Sequence, residues 1–401
     1  MANGRFSALY SRDFRLFFIG QVISFSGTWM HSTAQGWLVY SLTKSPLYLG
    51  LISAVGSLPV LLFALVGGVF ADRFEKRGLL IFTQALLIIP ALMIGILSSA
   101  GVIKVWHVMA LVGMMGVVNA FDLPARQSFL IEMVERGNLL NAVALNSAAF
   151  NAGRIIGPFL AGMAIAYIGL SACFYLNALS FVPVIAALYV MRARSTVRTG
   201  GLSISSDFLS GLRFVKAEPE ILRPMLVVAI FSLFGIPFIT LLPVYAGDIL
   251  NVGAKGLGFL ASAAGAGAFI SAALIAFKGD VAGKERIMRV SAIVFPAALI
   301  VFSRSESFGL SLAMLFICGL SLVGFLAVAN SAIQLKTPDE LRGRVMSVYT
   351  LVFLGFAPVG NSIMGLTAHA IGTANAVTAF SALCLAASLA VSANYRGGIT
   401  K

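Results

Sequence analysis

Polar side chains able to bind or carry a proton gather at three places inside otherwise apolar stretches of this chain. Arg154 lies about 20 Å along the stretch Asn141-AVALNSAAFNAGR-IIGPFLAGMAIAYIG, with no other charge near it in sequence. A guanidinium at mid-bilayer depth costs roughly 2.5–3.5 kcal/mol even on the mildest scales, so Arg154 must point inward. There it either bonds helix carbonyls and side chains such as Asn151, or meets an anionic or hydrogen-bond-accepting group on a bound molecule. Gln21, Ser24, Thr28, His31 and Gln35 recur at three, four, three and four residues and form one stripe on a helix. Neighbouring helices alone can satisfy such a stripe, but a water-accessible cavity accounts more simply for polar residues over four turns. His31 can titrate, bond a bound molecule or serve as a structural donor. Asn119, Asp122 and Arg126 make the third place, with Asp122 and Arg126 one turn apart. Asp122 is the only carboxylate placed within an apolar stretch. It is a candidate proton carrier, or else part of an Asp122–Arg126–Asp72 network.

The elements that must position these residues follow from composition. Of 401 residues, 59% are hydrophobic and 11% charged, and the mean hydropathy is +0.96; no soluble domain of this size closes on such a sequence. The chain is therefore expected to be an all-α, multi-pass membrane protein. Apolar stretches mark twelve helices at about 14–41, 47–71, 78–100, 105–127, 140–167, 171–192, 222–246, 256–277, 286–303, 308–331, 344–370 and 373–394. Most of the 28 lysines and arginines then fall on one side: Arg5, Arg12 and Arg15, the 73–77 loop, Arg126 and Arg136, the 192–223 segment, 278–289, 336–344, Arg396 and Lys401. Lys44, Lys104, Lys255 and Arg304 remain on the other, which puts both termini in the cytoplasm. The net charge of +13 is thus topology and contact with anionic lipid, not a sign of nucleic-acid binding. Cys173, Cys318 and Cys384 sit in separate apolar stretches and suit buried hydrophobes. The N-terminal residues run into the first span without a cleavage-site pattern, so nothing reads as a removable leader.

The segment 193–221 is the longest between spans and separates an N-terminal six-helix half, 1–192, from a C-terminal half, 222–401. Phe208, Leu209, Leu212 and Val215 against Arg213 and Lys216 fit an amphipathic interfacial helix; a plain linker is the alternative. The segment Glu135-RGNLLNAVALN followed by GRIIGPFLAG is echoed about 200 residues later by Pro338-DELRGRVMSVY followed by GFAPVGNSIMG. Two pseudo-symmetric six-helix halves around a cavity, rocking by alternating access, is the architecture implied. In helix five, Gly153, Gly157 and Gly162 with Pro158 permit close packing and a kink. In the loop after the second helix, Gly67 and Gly68 permit close approach, Asp72 can accept from a helix N-terminus or Arg73, and Lys76 and Arg77 meet the inner leaflet. Gly68, Asp72, Arg73, Lys76 and Arg77, with Arg126, read as a cytoplasmic latch; an ordinary positive-inside loop is the alternative.

The string Gly68-VFADRFEKR resembles the cytoplasmic signature of the major facilitator superfamily, and the layout of the chain follows that family over nearly its whole length. Ser26-GTWMHSTAQGWLVYSLTKSPLYLG, Phe121-DLPARQSF, Leu242-PVYAGDIL and Pro338-DELRGRVMSVY resemble one efflux branch, the transmembrane secretion effectors, which includes enterobactin exporters and macrolide efflux proteins. The resemblance implies a latch aspartate that bonds across the interface of the halves in the outward-facing state. It also implies that the helix-five string marks an exporter, although Met163 stands where that pattern has a second glycine.

Enzymatic readings lack their residues. His31, His107 and His369 form no HExxH pattern, no GxSxG elbow occurs, and Gly279-DVAGKER is one residue short of a phosphate loop, with Glu285 in the magnesium position. No cofactor and no metal are expected. The expectation is a secondary transporter, not an enzyme, in a bacterial inner membrane, exporting a small amphiphilic molecule such as a drug-like compound or siderophore by proton antiport. Its partners would be that substrate, protons and membrane lipid, with the monomer as the working unit. An importer or a channel-like permease of the same fold is the alternative, and counterflow separates the channel because an open pore shows no trans-stimulation.

Overall fold

The computed structural model describes residues 7–191, 204–278 and 283–393, and these residues form helices joined by short connections, without strands. The charges Arg5, Arg192, Arg194, Arg198, Arg396 and Lys401, the linker part 193–203, and residues 279–282 of the phosphate-loop-like string lie outside them. Helices α1 (Arg12–Thr43), α2 (Pro46–Arg73), α3 (Lys76–Ser99), α4 (Val105–Glu132), α5 (Leu139–Tyr167) and α6 (Leu170–Val190) come first. After α7 (Ile204–Ala217) come α8 (Pro219–Ile230), the one-turn α9 (Leu242–Val244), α10 (Gly253–Lys278), α11 (Lys284–Ser303), α12 (Phe308–Lys336), α13 (Asp339–Ile371) and α14 (Thr373–Ala393). Helices are what hydrocarbon permits, because each backbone group finds its partner within the segment. Leu62, Phe82, Leu179 and Leu366 are each about 60% exposed, which in water would be a large defect and in lipid is a match.

Among the described residues, eleven helical segments are long and apolar enough to cross a bilayer. The exception among the twelve expected is α1, whose 32 residues span about 48 Å but carry the polar stripe that lowers their hydropathy. The span expected at 222–246 is present as Pro219–Ile249, with irregular helical bonding inside it. Past Ile230 the chain passes through a π turn (Phe231–Gly235), a 3₁₀ stretch (Ile236–Leu241), α9 and a second π turn (Tyr245–Ile249). Pro237 and Pro243 remove two backbone donors there, so the regular bonding pattern cannot run through. Gly360 of α13 lies close against the freed region: a Cβ on it would sit 2.6 Å from the Leu233 carbonyl oxygen.

The chain divides into two compact units, and the division cuts through two helices. The first unit holds Met1–Lys44, Val55–Gly200 and Val252–Ser262; the second holds Ser45–Ala54, Gly201–Asn251 and Ala263–Lys401. In the first, Phe14, Phe17, Leu80, Ala125, Phe129 and Leu188 form a core that binds α1, α3, α4 and α6 near one end. In the second, α7 lies along α13, with Val215 buried and Arg344 Nη1 donating to Ser210 Oγ at 3.1 Å. Glycines of positive φ make the turns between α5 and α6 (Gly169, 108°) and between α13 and α14 (Gly372, 89°).

Candidate functional site

Asp122 is wholly buried in the first unit, and its carboxylate is fully engaged. Oδ1 accepts from Thr83 Oγ1 at 2.8 Å and from Gln84 Nε2 at 2.7 Å, both on α3; Oδ2 accepts from Arg126 Nε at 3.1 Å and also pairs with Arg126 Nη2. Arg126 Nη1 reaches across to Gln21 Oε1 of α1 at 2.6 Å, and its guanidinium lies over the Phe25 ring at 5.4 Å. One carboxylate thus ties α1, α3 and α4 together. The expected Asp122–Arg126 pair is present, but Asp72 is not a member of the network; Gln21, Thr83 and Gln84 take that place. Neutralising Asp122 would leave a largely buried arginine without counter-charge, a costly event that suits an anchor better than a proton carrier. Thr83 and Gln84 were legible only as polar interruptions of an apolar stretch.

The stripe on α1 is divided by the tertiary structure. Gln21, Ser24 and His31 are buried against neighbouring helices, Gln35 is half-buried, and Thr28 is exposed. The single wet stripe expected from the spacing is therefore not present as such, because a stripe covering four turns meets α4 at one level and α6 at another. His31 Nδ1 lies 3.2 Å from Asn177 Nδ2 of α6, its ring meets Phe174 edge-on at 5.0 Å, and its buried Nε2 has no hydrogen-bond partner among the described residues. Asn177, absent from the sequence-derived set, is fully buried and faces Gly27, where a Cβ would come within 3.0 Å of its Oδ1.

Arg154 is half-buried, and its guanidinium lies 5.4 Å from the Trp29 ring centre. Asn151, the sequence-proposed partner, instead donates to the Ser147 carbonyl at 2.9 Å. The helix-five glycines bring α5 against its neighbours. A Cβ on Gly157 would meet Trp29 Cβ at 2.5 Å and the Ser26 carbonyl oxygen at 2.6 Å, and one on Gly153 would meet the Phe25 backbone at 3.0 Å. Gly162 faces Gly258 of α10 instead, with Pro158 between the two sets; α5 stays helical throughout. A second glycine crossing lies within the other unit, where a Cβ on Gly50 of α2 would sit 2.4 Å from the Asn361 carbonyl oxygen and 2.8 Å from the Gly365 Cα.

The loop between α2 and α3 is held inside the first unit. Lys76 pairs with Glu132 of α4 at 2.8 Å, and Arg77 donates from Nε to the Leu188 carbonyl at 2.6 Å and from Nη2 to the Tyr189 carbonyl at 2.8 Å. Both carbonyls are at the C-terminal end of α6, where a cation also meets the negative end of the helix dipole. Arg73 is exposed, Asp72 is half-buried, and Arg126 belongs to the Asp122 network rather than to this loop. Gly67 has the close approach expected of both glycines, since a Cβ would lie 2.1 Å from the Ala120 carbonyl oxygen; Gly68 has open space around it. Arg77→Ala should lower stability by about 1–3 kcal/mol by leaving both carbonyls unpaired. Thermal unfolding of the purified protein in detergent measures it, and an unchanged midpoint would remove the loop's fastening role.

Comparison with known proteins accords with this architecture. The family model described as transmembrane secretion effector matches residues 3–396. The staphyloferrin A transporter of Staphylococcus aureus is 22% identical over 381 residues, covering 92% of this chain and 94% of its own. The multidrug efflux pump Tap of Mycolicibacterium fortuitum is 26% identical over 349 residues, covering 84% of each chain. Among solved structures, a bacterial homologue of the human lysosomal transporter Spinster superposes with a TM-score of 0.76 at 13% identity, covering 99% of this chain and 98% of that one. The nucleoside transporter NupG does so with a TM-score of 0.75 at 10% identity, covering 96% and 99%. These likenesses at low identity speak to fold. A multi-pass helical chain with a charged anchor buried among its helices, matched over nearly its whole length, belongs to the transmembrane secretion effector family of the major facilitator superfamily.

Proposed function

We propose that the protein is a secondary active exporter that moves a small amphiphilic molecule out of the bacterial cytoplasm across the inner membrane by alternating access, driven by proton antiport. In this reading α1 is a span, giving twelve, both termini are cytoplasmic, residues 1–192 and 222–401 are the rocking halves, 193–221 links them, and a monomer suffices. The observation that carries it is the repeated glycine crossing, Gly50 with Gly365 and Gly162 with Gly258. Each joins a helix of the first six to one of the second six at the ends placed outside by the charge distribution. Glycine lets the backbones touch without interlocking side chains, so such a contact can close tightly and still part. Export rather than import is supported by relatives named as multidrug and macrolide efflux proteins. Cells overproducing the protein should accumulate less of a fluorescent amphiphile than vector controls, and a protonophore should abolish the difference. Equal accumulation across a broad substrate panel would sink the export reading; greater accumulation would indicate import.

With Asp122 serving as the anchor, we assign the coupling proton to His31, a buried imidazole whose Nε2 has no hydrogen-bond partner, and which bonds no carboxylate, among the described residues. His31→Gln keeps a partner for Asn177 and removes the titration. Uphill export driven by a pH gradient should fall at least about tenfold while equal-concentration exchange continues. Persistence of gradient-driven export in His31→Gln proteoliposomes would mean the proton travels elsewhere.

A further inference from the structure

Arg154 stands at the end of a row of aromatic rings contributed by α1 and α5, all in the first unit. Its guanidinium lies over Trp29; Trp29 meets Phe150 edge-on at 5.6 Å; Phe150 meets Phe25 edge-on at 5.4 Å; and Arg126 lies over the Phe25 ring. The two arginines at the ends of the row differ. Arg126 is neutralised by Asp122 and bonded to Gln21, whereas no oxygen among the described residues accepts from Arg154. Nor can another carboxylate of its own unit be recruited at that depth. Asp122 apart, the described acidic residues stand in the terminal turns of the membrane-crossing helices, on α7 or in the connections between helices. The row is not sealed off by packing: Phe150 is 41% exposed, and Phe25, Trp29 and Arg154 are half-buried.

A guanidinium about 22 Å along α5, held against an indole face and lacking a counter-charge, is a poor structural element and a good receptor. The planar fork presents paired donors matched to a carboxylate, and the rings beside it offer flat apolar surface for the rest of the molecule. We propose that this ledge is a substrate-binding site selective for organic anions, specifically carboxylates with an aromatic or broad apolar body. The carboxylate takes the Arg154 fork, and the apolar body lies along Trp29 and Phe150. The proposal rests on the transporter reading and narrows it: neutral and cationic amphiphiles of equal bulk would leave the guanidinium uncompensated and bind less well.

The test uses the full-length protein in lipid nanodiscs with three probes of similar apolar bulk: 1-pyrenebutyrate, its neutral amide, and the cation tetraphenylphosphonium. Wild-type protein should bind the carboxylate about 10- to 100-fold more tightly than the amide, the span expected of one charge-assisted fork in a partly dry site. Arg154→Gln should erase that preference, Arg154→Lys should retain part of it, and Trp29→Leu should weaken carboxylate and amide alike. The wild-type ratio needs no variant, so the proposal stays testable even where Arg154→Gln is not recovered folded. Equal affinity for carboxylate and amide, preference for the cation, or a preference undiminished in Arg154→Gln each overturns it. Accumulation assays separate this proposal from the reading beneath it. Export of tetraphenylphosphonium but not pyrenebutyrate removes the anion assignment and leaves export standing. Tight, Arg154-dependent binding of pyrenebutyrate without export does the reverse.

Discussion

Asp122→Asn is expected to destabilise the protein by about 3–5 kcal/mol, the cost of stripping one partner from a buried ion pair. The carboxylate is wholly buried and bonds four donor atoms on Thr83, Gln84 and Arg126. An amide keeps its shape but presents two donors where Oδ1 or Oδ2 must accept, so whichever way it turns it confronts Arg126 or the Thr83 and Gln84 side chains. Arg126, 12% exposed at its side chain, then lacks a counter-charge and strains its bond to Gln21. The loss should appear as a lower thermal midpoint in detergent and a lower yield of monodisperse protein. The double variant Asp122→Asn with Arg126→Gln should recover part of it, because the stranded charge is gone. If the single variant folds like the parent and loses only proton-driven uphill export, Asp122 is the proton carrier and not the anchor, and His31 is released from that role.

Gly157→Leu should have an effect of comparable size through packing alone. A Cβ there would lie 2.5 Å from Trp29 Cβ, 2.6 Å from the Ser26 carbonyl oxygen and 2.7 Å from the Met30 nitrogen. Two of these are backbone atoms of α1 and cannot swing aside, so α1 and α5 must separate along their contact, displacing Trp29 from Arg154. Overpacking of this kind costs typically 1–3 kcal/mol, and a clash with backbone belongs at the upper end. Gly157→Ala should already lower the midpoint, whereas Gly68→Ala, with open space around it, should leave it unchanged. A neutral Gly157→Leu would mean that α1 and α5 do not pack as described.

The amino-acid sequence alone determined that the chain is a multi-pass helical membrane protein. Composition decides that, because nothing else can bury so little charge among so many apolar residues, and the helical periods are local properties of the chain. It determined as well that Arg154 and Asp122 carry unusual weight, since a charge in an apolar stretch is conspicuous without any coordinates. What it could not decide was which neighbour each polar residue meets. Spacing puts Gln21, Ser24, Thr28, His31 and Gln35 on one face of α1, but α4 and α6 cross that face at different levels; they bury Gln21 in the Asp122 network and set His31 against Asn177, while Thr28 is left exposed. Thr83 and Gln84 were modest polar interruptions of α3 until Asp122, 39 and 38 residues away, made them its ligands. The break beyond Ile230 likewise needed Gly360 of α13 pressed against it, since two prolines can be absorbed as a kink or as a rupture depending on what packs there. Periodicity and composition act within a helix. That Arg126 meets Asp122 and Gln21 while Arg154 meets the Trp29 ring depends on contacts between helices far apart in the chain, and those belong to the tertiary structure.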